Sequence, residues 1–138
     1  MSRILAIDYG KKRCGIAVSD PMRIVAGGLT TVATGELMKF VKDYVQKEDV
    51  GVIVMGEPRQ MDGSESETMA YIKPFLGRLR KELPDMKVEM VDERFTTKLA
   101  QRAMIDGGVS KKDRNNKNGL VDMVSATIIL QTYMEMSR

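Results

Sequence analysis

The sequence predicts an α/β domain built on a mixed five-stranded sheet with helices on both faces. Three observations carry that expectation. Three short apolar runs come first, separated only by turns; two further apolar runs then alternate with segments of helical period; and the chain closes on a long apolar segment of helical spacing. At 138 residues the chain fits one domain, 1–138, large enough to bury a core without disulfides or structural metal.

Arg3 to Ile7 is continuous aliphatic sequence and reads as the first strand, buried on both faces. Cys14 to Ser19 is the second and Ile24 to Val32 the third, with the Gly27-Gly28 pair marking a bulge or a close approach. The short turns make these an antiparallel meander. Leu37, Phe40, Val41, Tyr44 and Val45 then recur at helical spacing behind Thr34, a candidate N-cap, so the spacing predicts a helix over Gly35 to Glu48. Val50 to Met55 is a buried fourth strand. Asp62-Gly63 is a turn, and Ser64 with Glu67 fits a capping box opening a helix to Leu83, stopped by Pro84. Pro74 and Gly77 within it predict a kink or an early break. Lys87 to Val91 alternates as strand five, Thr96 or Thr97 caps a helix ending at Gly107-Gly108, and Leu120 to Met136 forms the last helix. Three antiparallel strands followed by two parallel crossovers is the ribonuclease H-like plan, with strand order 3-2-1-4-5.

Composition narrows the chemistry. There is no histidine, which removes His-dependent triads, His-ligated zinc and histidine general bases, and a single cysteine, Cys14, builds neither a disulfide nor a thiolate site. Cys14 reads as a small core residue. Hydrolytic chemistry in this chain must use carboxylates, lysines or hydroxyls. The longest apolar stretch, Val50 to Met55, is too short to span a bilayer, and Met1-Ser2-Arg3 runs into a strand with no signal-peptide pattern. With twelve methionines as oxidation liabilities, the expectation is a cytoplasmic protein with no membrane partner. The net charge of +3 and pI near 9.0 are compatible with a polyanionic partner.

Acidic residues gather where ligands bind in open α/β sheets, outside the carboxyl ends of the strands near the point where strand order reverses. Asp8 stands at the end of the central first strand; by itself such an aspartate either forms an Asx-turn ahead of Gly10 or holds a metal ion. Asp92 and Glu93 end strand five, where the alternative is a charged exit loop. Asp122 opens the last helix among Val121, Met123 and Val124; it is either a favourable acid near a positive helix end or an inward-facing carboxylate that needs a partner.

These residues carry a resemblance that spans essentially the whole chain. Ile7-Asp8-Tyr9-Gly10 with Gly15-Ile16-Ala17-Val18, then Asp92-Glu93-Arg94-Phe95-Thr96-Thr97, then Val121-Asp122 through Ser125-Ala126 to Ile129-Leu130-Gln131 resemble, in order, the signatures of the YqgF family. Its members are Holliday junction resolvase-like proteins regarded as nucleases for the 5′ end of pre-16S ribosomal RNA. The resemblance implies a ribonuclease H-like fold with Asp8, Glu93 and Asp122 as catalytic acids. Chemistry independently favours such a set: phosphodiester hydrolysis without histidine can use two divalent ions about 4 Å apart, and Mg2+ or Mn2+ is served by oxygen ligands, few of them from protein. In one respect the chain departs from the family, whose loop after strand four usually reads Gly-Leu-Pro. Here it is Gly56-Glu57-Pro58. Resolvases of the wider superfamily carry a glutamate near this strand end, which makes Glu57 a candidate fourth ligand, direct or in the outer shell, against a solvent-facing loop acid.

Cations near these acids suggest how substrate is held. Lys11, Lys12 and Arg13 follow Asp8 in the hairpin turn and Arg94 adjoins Glu93, all suited to phosphate contacts; the alternative is solvation for the turn and a salt bridge to Asp92 or another site acid for Arg94. Gly107 to Gly119, which includes Lys117, reads as a mobile flap or as a merely solvated tract. Few aromatics are present, so backbone and shape recognition of nucleic acid is expected over base stacking. Three function classes follow: a metal-dependent nuclease acting on pre-ribosomal RNA or branched DNA, a non-catalytic ribosome-assembly factor, and an actin-like phosphotransferase, which needs two such subdomains. The chain carries no apolar surface stripe that chooses between a monomer and a homodimer.

Overall fold

A computed structural model describes residues 2–58, 60, 62–64, 66–92 and 120–137. The elements run β1 (Arg3–Asp8), β2 (Arg13–Ser19), β3 (Ala26–Ala33), a 3-10 turn (Thr34–Glu36), α1 (Leu37–Lys47), β4 (Val50–Glu57), α2 (Met69–Glu82), β5 (Lys87–Asp92) and α3 (Leu120–Met136). The sheet order is β3-β2-β1-β4-β5, with β1–β2 and β2–β3 antiparallel and β1–β4 and β4–β5 parallel, as the sequence predicts. No described helix is long and apolar enough to cross a membrane.

Alternation along each strand divides the core in two. Leu5 and Ile7, Cys14 and Ile16, Ile53 and Met55 face α1 and α2, where Leu37, Val41, Ile72, Phe75, Leu76 and Leu79 cover them. Ile4 and Ala6, Ala17, Val52, Val54 and Val91 face the other way, against Ala126, Ile129, Leu130 and Met134 of α3. Each fully buried leucine, isoleucine or phenylalanine contributes about 1.5–3 kcal/mol by leaving water.

Both expectations for the Gly27-Gly28 pair are met. The pairing of β2 with β3 steps from Ile16↔Thr30 to Ala17↔Gly28, leaving Leu29 as the extra residue of a bulge. A Cβ on Gly28 would stand 3.4 Å from the Met123 Cβ and 3.5 Å from Thr127 Oγ1, so α3 does pass close over it. The third strand starts at Ala26, because Asp20 gathers the backbone N–H groups of Met22, Ile24 and Val25 and holds residues 20–25 as a turn. Those three hydrogen bonds keep the Asp20 carboxyl below the usual range, the one from Val25 contributing most.

Two predicted helix caps do not form. Thr34 makes no N-cap bond; its hydroxyl donates instead to the Gly10 carbonyl at 2.7 Å, and its segment winds as a 3-10 turn before α1. Ser64 closes on Asp62, donating through its N–H at 2.9 Å and its hydroxyl at 2.6 Å, so no capping box opens α2, which starts at Met69. Pro74 lies inside α2 without ending it. The predicted helix after Thr96 or Thr97 and the flap over 107–119 lie outside the described residues.

Candidate active site

β1 delivers Asp8 to the carboxyl edge at the centre of the sheet, two residues beyond Ala6 and therefore on the side that α3 covers. Directly across the antiparallel ladder stands Gly15. A Cβ there would overlap the carbonyl of Asp122, so the first turn of α3 rests with its backbone on the strand that pairs with Asp8. That contact seats Asp122, more than a hundred residues on, against the residue paired with Asp8. The thiol pKa of Cys14 next door is raised: burial contributes most, bonds to Thr34 and Gly10 oppose that rise, and both Asp8 and Asp122 raise it further. Cys14 is the buried core residue expected, held as a thiol.

Arg13, expected to face a phosphate, lies on a site acid instead. Its Nε donates to Asp122 Oδ2 at 2.7 Å, with the two side chains 37% and 25% exposed. The pair gives the half-buried carboxylate beside the core a hydrogen-bond partner.

The turn that carries the other cations is pinned from below. Gly10 leaves no room for a side chain, since a Cβ would meet the Arg13 carbonyl. The Gly10 carbonyl accepts from Thr34 Oγ1, and Thr34 N–H donates to the Lys12 carbonyl at 3.0 Å. Tyr9 packs on Phe75 with ring centroids 5.5 Å apart, and Lys11 lays its Nζ 5.0 Å from the centre of the Tyr71 ring, a cation–π contact with an exposed aromatic of α2. Lys12 is exposed at the tip.

Glu57 ends β4 at the same edge, registered with Asp92. By alternation it follows Ile53 and Met55, on the α1/α2 side of the sheet, whereas Asp8 follows Ile4 and Ala6 on the α3 side. Glu93, Arg94 and Lys117 lie outside the described residues. Among the described residues no group of three His, Cys, Asp or Glu side chains could hold a metal ion. What is described is an oxygen-only pair, Asp8 and Asp122, and that donor set fits Mg2+ or Mn2+: magnesium is held by one or two carboxylates and completes its shell with water and substrate phosphate.

Sequence reasoning missed the Arg13–Asp122 pair and the part played by Gly15. A glycine in the interior of a strand does signal close backbone approach, and Gly15, two residues before Ala17, is such a glycine. Nothing in the spacing names Asp122 as the partner of Arg13.

The chain resembles known proteins along its whole length. A family profile described as "RuvX: Holliday junction resolvase" matches residues 2–136. A protein of Phocaeicola vulgatus named "Putative pre-16S rRNA nuclease" is 61% identical over 135 residues, 98% of this chain and 96% of its own. One of Bacteroides fragilis with the same name is 59% identical over 138 residues, 100% and 99% of the two chains. Among solved structures, RuvC of Thermus thermophilus in complex with a Holliday junction substrate superposes with a TM-score of 0.62 at 15% identity, covering 99% of this chain and 97% of that one. The Fowlpox virus Holliday junction resolvase gives 0.53 at 15% identity, covering 99% of each chain. At such identities the structural likeness speaks for the fold.

Proposed function

The chain belongs to the RuvX family, also known as YqgF, and on that premise we propose that it is a metal-dependent nuclease that hydrolyses phosphodiester bonds in the 5′-end maturation of pre-16S ribosomal RNA. The observation that carries the reading is the seating of Asp122 on Gly15, the residue paired with Asp8, at the strand ends where open α/β sheets bind their ligands. The names of relatives at 61% and 59% identity supply the RNA.

In this reading Asp8, Asp122 and Glu93 would hold the divalent ions through their carboxylate oxygens. Bound magnesium or manganese supplies Lewis acidity for making hydroxide from water at neutral pH and for stabilising charge on the phosphate oxygens. The chain's own work is to hold these acids still. The sheet ladder fixes Asp8, and the Gly15 contact fixes the backbone of Asp122. Lys12 at the tip of the turn, with Arg94 and Lys117, contacts backbone phosphates, while Lys11 is held against Tyr71 beside them. Glu57, one strand from Asp8 at the same edge, is the fourth acid of this reading, as a direct or an outer-shell ligand.

The test is cleavage of a 5′-extended 16S precursor RNA and a four-way DNA junction, matched in concentration, with Mg2+, Mn2+ or chelator. The RNA is cut in either metal and not in chelator, and Asp8→Asn lowers the rate by about 10^3-fold. In chelator the same variant melts no lower than the wild type, because it removes a negative charge from an acid site. Preferential cutting of the junction would make the protein a DNA resolvase. RNA binding without cutting, equal in wild type and Asp8→Asn, would make it an assembly factor.

A further inference from the structure

Arg13 is the one observation at this site that the proposed reaction does not require in the place where it is found. It opens β2, two residues before Gly15 and four before Ala17, and so shares the α3 face with Asp8. Its backbone is fixed by pairing with Ala33 and by the close approach of Gly10 to its carbonyl. From that fixed point the guanidinium reaches Asp122 Oδ2 at 2.7 Å, in the range of a charge-assisted bond. Both partners are partly withdrawn from water, so their charges are incompletely screened.

A guanidinium is a donor only and can never ligate a metal. A divalent ion held by Asp8 and Asp122 would meet it across the same carboxylate, as a like charge at short range. We propose that Arg13 is the site's resident counter-ion: it holds Asp122 while the site is without metal, opposes metal binding, and gives up the carboxylate when a divalent ion loads. The released fork of N–H groups then faces the edge where the substrate phosphate must lie, a second use of the same charge. Metal affinity is lowered as a consequence, and the acid is kept from collapsing or recruiting other cations in the meantime. This inference rests on Asp8 and Asp122 being metal ligands, and the experiment separates the two.

Mn2+ is titrated calorimetrically into the full chain without nucleic acid, for wild type, Asp8→Asn, Arg13→Gln, Arg13→Lys, Asp122→Asn and the Arg13→Gln/Asp122→Asn double variant. Arg13→Gln tightens Mn2+ binding by roughly two- to fivefold, the scale of one partly exposed ion pair. Arg13→Lys, which keeps the charge without the fork, falls between it and the wild type. In the Asp122→Asn background the Arg13→Gln gain shrinks, since the carboxylate charge that the guanidinium holds and the metal competes for is gone. Far-UV circular dichroism of each variant establishes folding, and Arg13→Lys carries the comparison if the glutamine variant does not fold. If wild type binds Mn2+ through Asp8 while Arg13→Gln binds it equally or more weakly, Arg13 is a positioning strut and the counter-ion role is wrong. If wild type and Asp8→Asn alike bind no Mn2+, the metal site itself is wrong and this inference goes with it.

Discussion

On the side of the sheet that α1 and α2 cover, the strands present Leu5, Ile7, Ile16, Ile53 and Met55, and the helices answer with Phe75, Ile72, Leu76 and Leu79. On the side that α3 covers they present Ala6, Gly15, Ala17 and Gly28 beside Ile4, Val52 and Val54. Large side chains hold two layers together with much apolar area but keep backbones apart. Small ones bury less, and they let a helix lie with its main chain on the sheet. The first side is suited to stability and the second to placement, and the acids lie on the second. A carboxylate positioned through backbone contact inherits the rigidity of the strand beneath it, which a site built on long side chains would lack.

The contrast can be broken at its stable side first. Leu79 is fully buried on α2, which leaves the carboxyl edge at Met69 and ends near the start of β5. Leu79→Ala costs about 2–5 kcal/mol in urea unfolding, while Mn2+ affinity measured under folding conditions stays at the wild-type value. A shifted affinity would mean that the two sides are not separable. Gly15→Ala is the counterpart on the other side. The added methyl meets the Asp122 carbonyl, which cannot rotate away, so α3 must lift; the expectation is about 2–3 kcal/mol of lost stability together with loss of cleavage and of the Mn2+ titration. Wild-type cleavage in a stable Gly15→Ala protein would remove the backbone contact from the account.

The smallest effect belongs to a group on neither side. Asp20 lies at the β2–β3 turn, and its carboxyl pKa is held low by the N–H groups it accepts from. A carboxyl depressed in the folded state contributes stability that is present above its unfolded value and is lost as pH falls through the lower folded one. The acid limb of the stability curve should therefore flatten slightly in Asp20→Asn, with metal-dependent cleavage at neutral pH unchanged. A large loss of cleavage would show that this turn is coupled to the site.

Much of this architecture is legible in the sequence, for physical reasons that differ between elements. Leu120 to Met136 is found at its observed bounds because a long apolar run has few other fates, and the sheet order follows from short turns and crossovers. Thr34 and Ser64 show where legibility stops. Each has the residue type and spacing of a cap, yet each hydroxyl bonds a nearer acceptor, Gly10 O or Asp62 Oδ1, that only the fold or the local turn supplies. At the site, Asp8 is visible as an acid ending an apolar strand and Asp122 as an acid among apolar neighbours. Their meeting through Gly15, and the choice of Asp122 by Arg13, depend on contacts that no local pattern records.

Arg13 and Asp122 are separated by 109 positions in the chain. Closing a loop of that length is entropically costly and precedes any reward from the contacts it permits, so α3 is expected to dock late. A nascent or partly folded chain would then carry Asp8 on a formed hairpin with no second acid beside it. If both acids serve the reaction as proposed, cutting would be tied to completed folding, with no hydrolytic form until the last helix is seated.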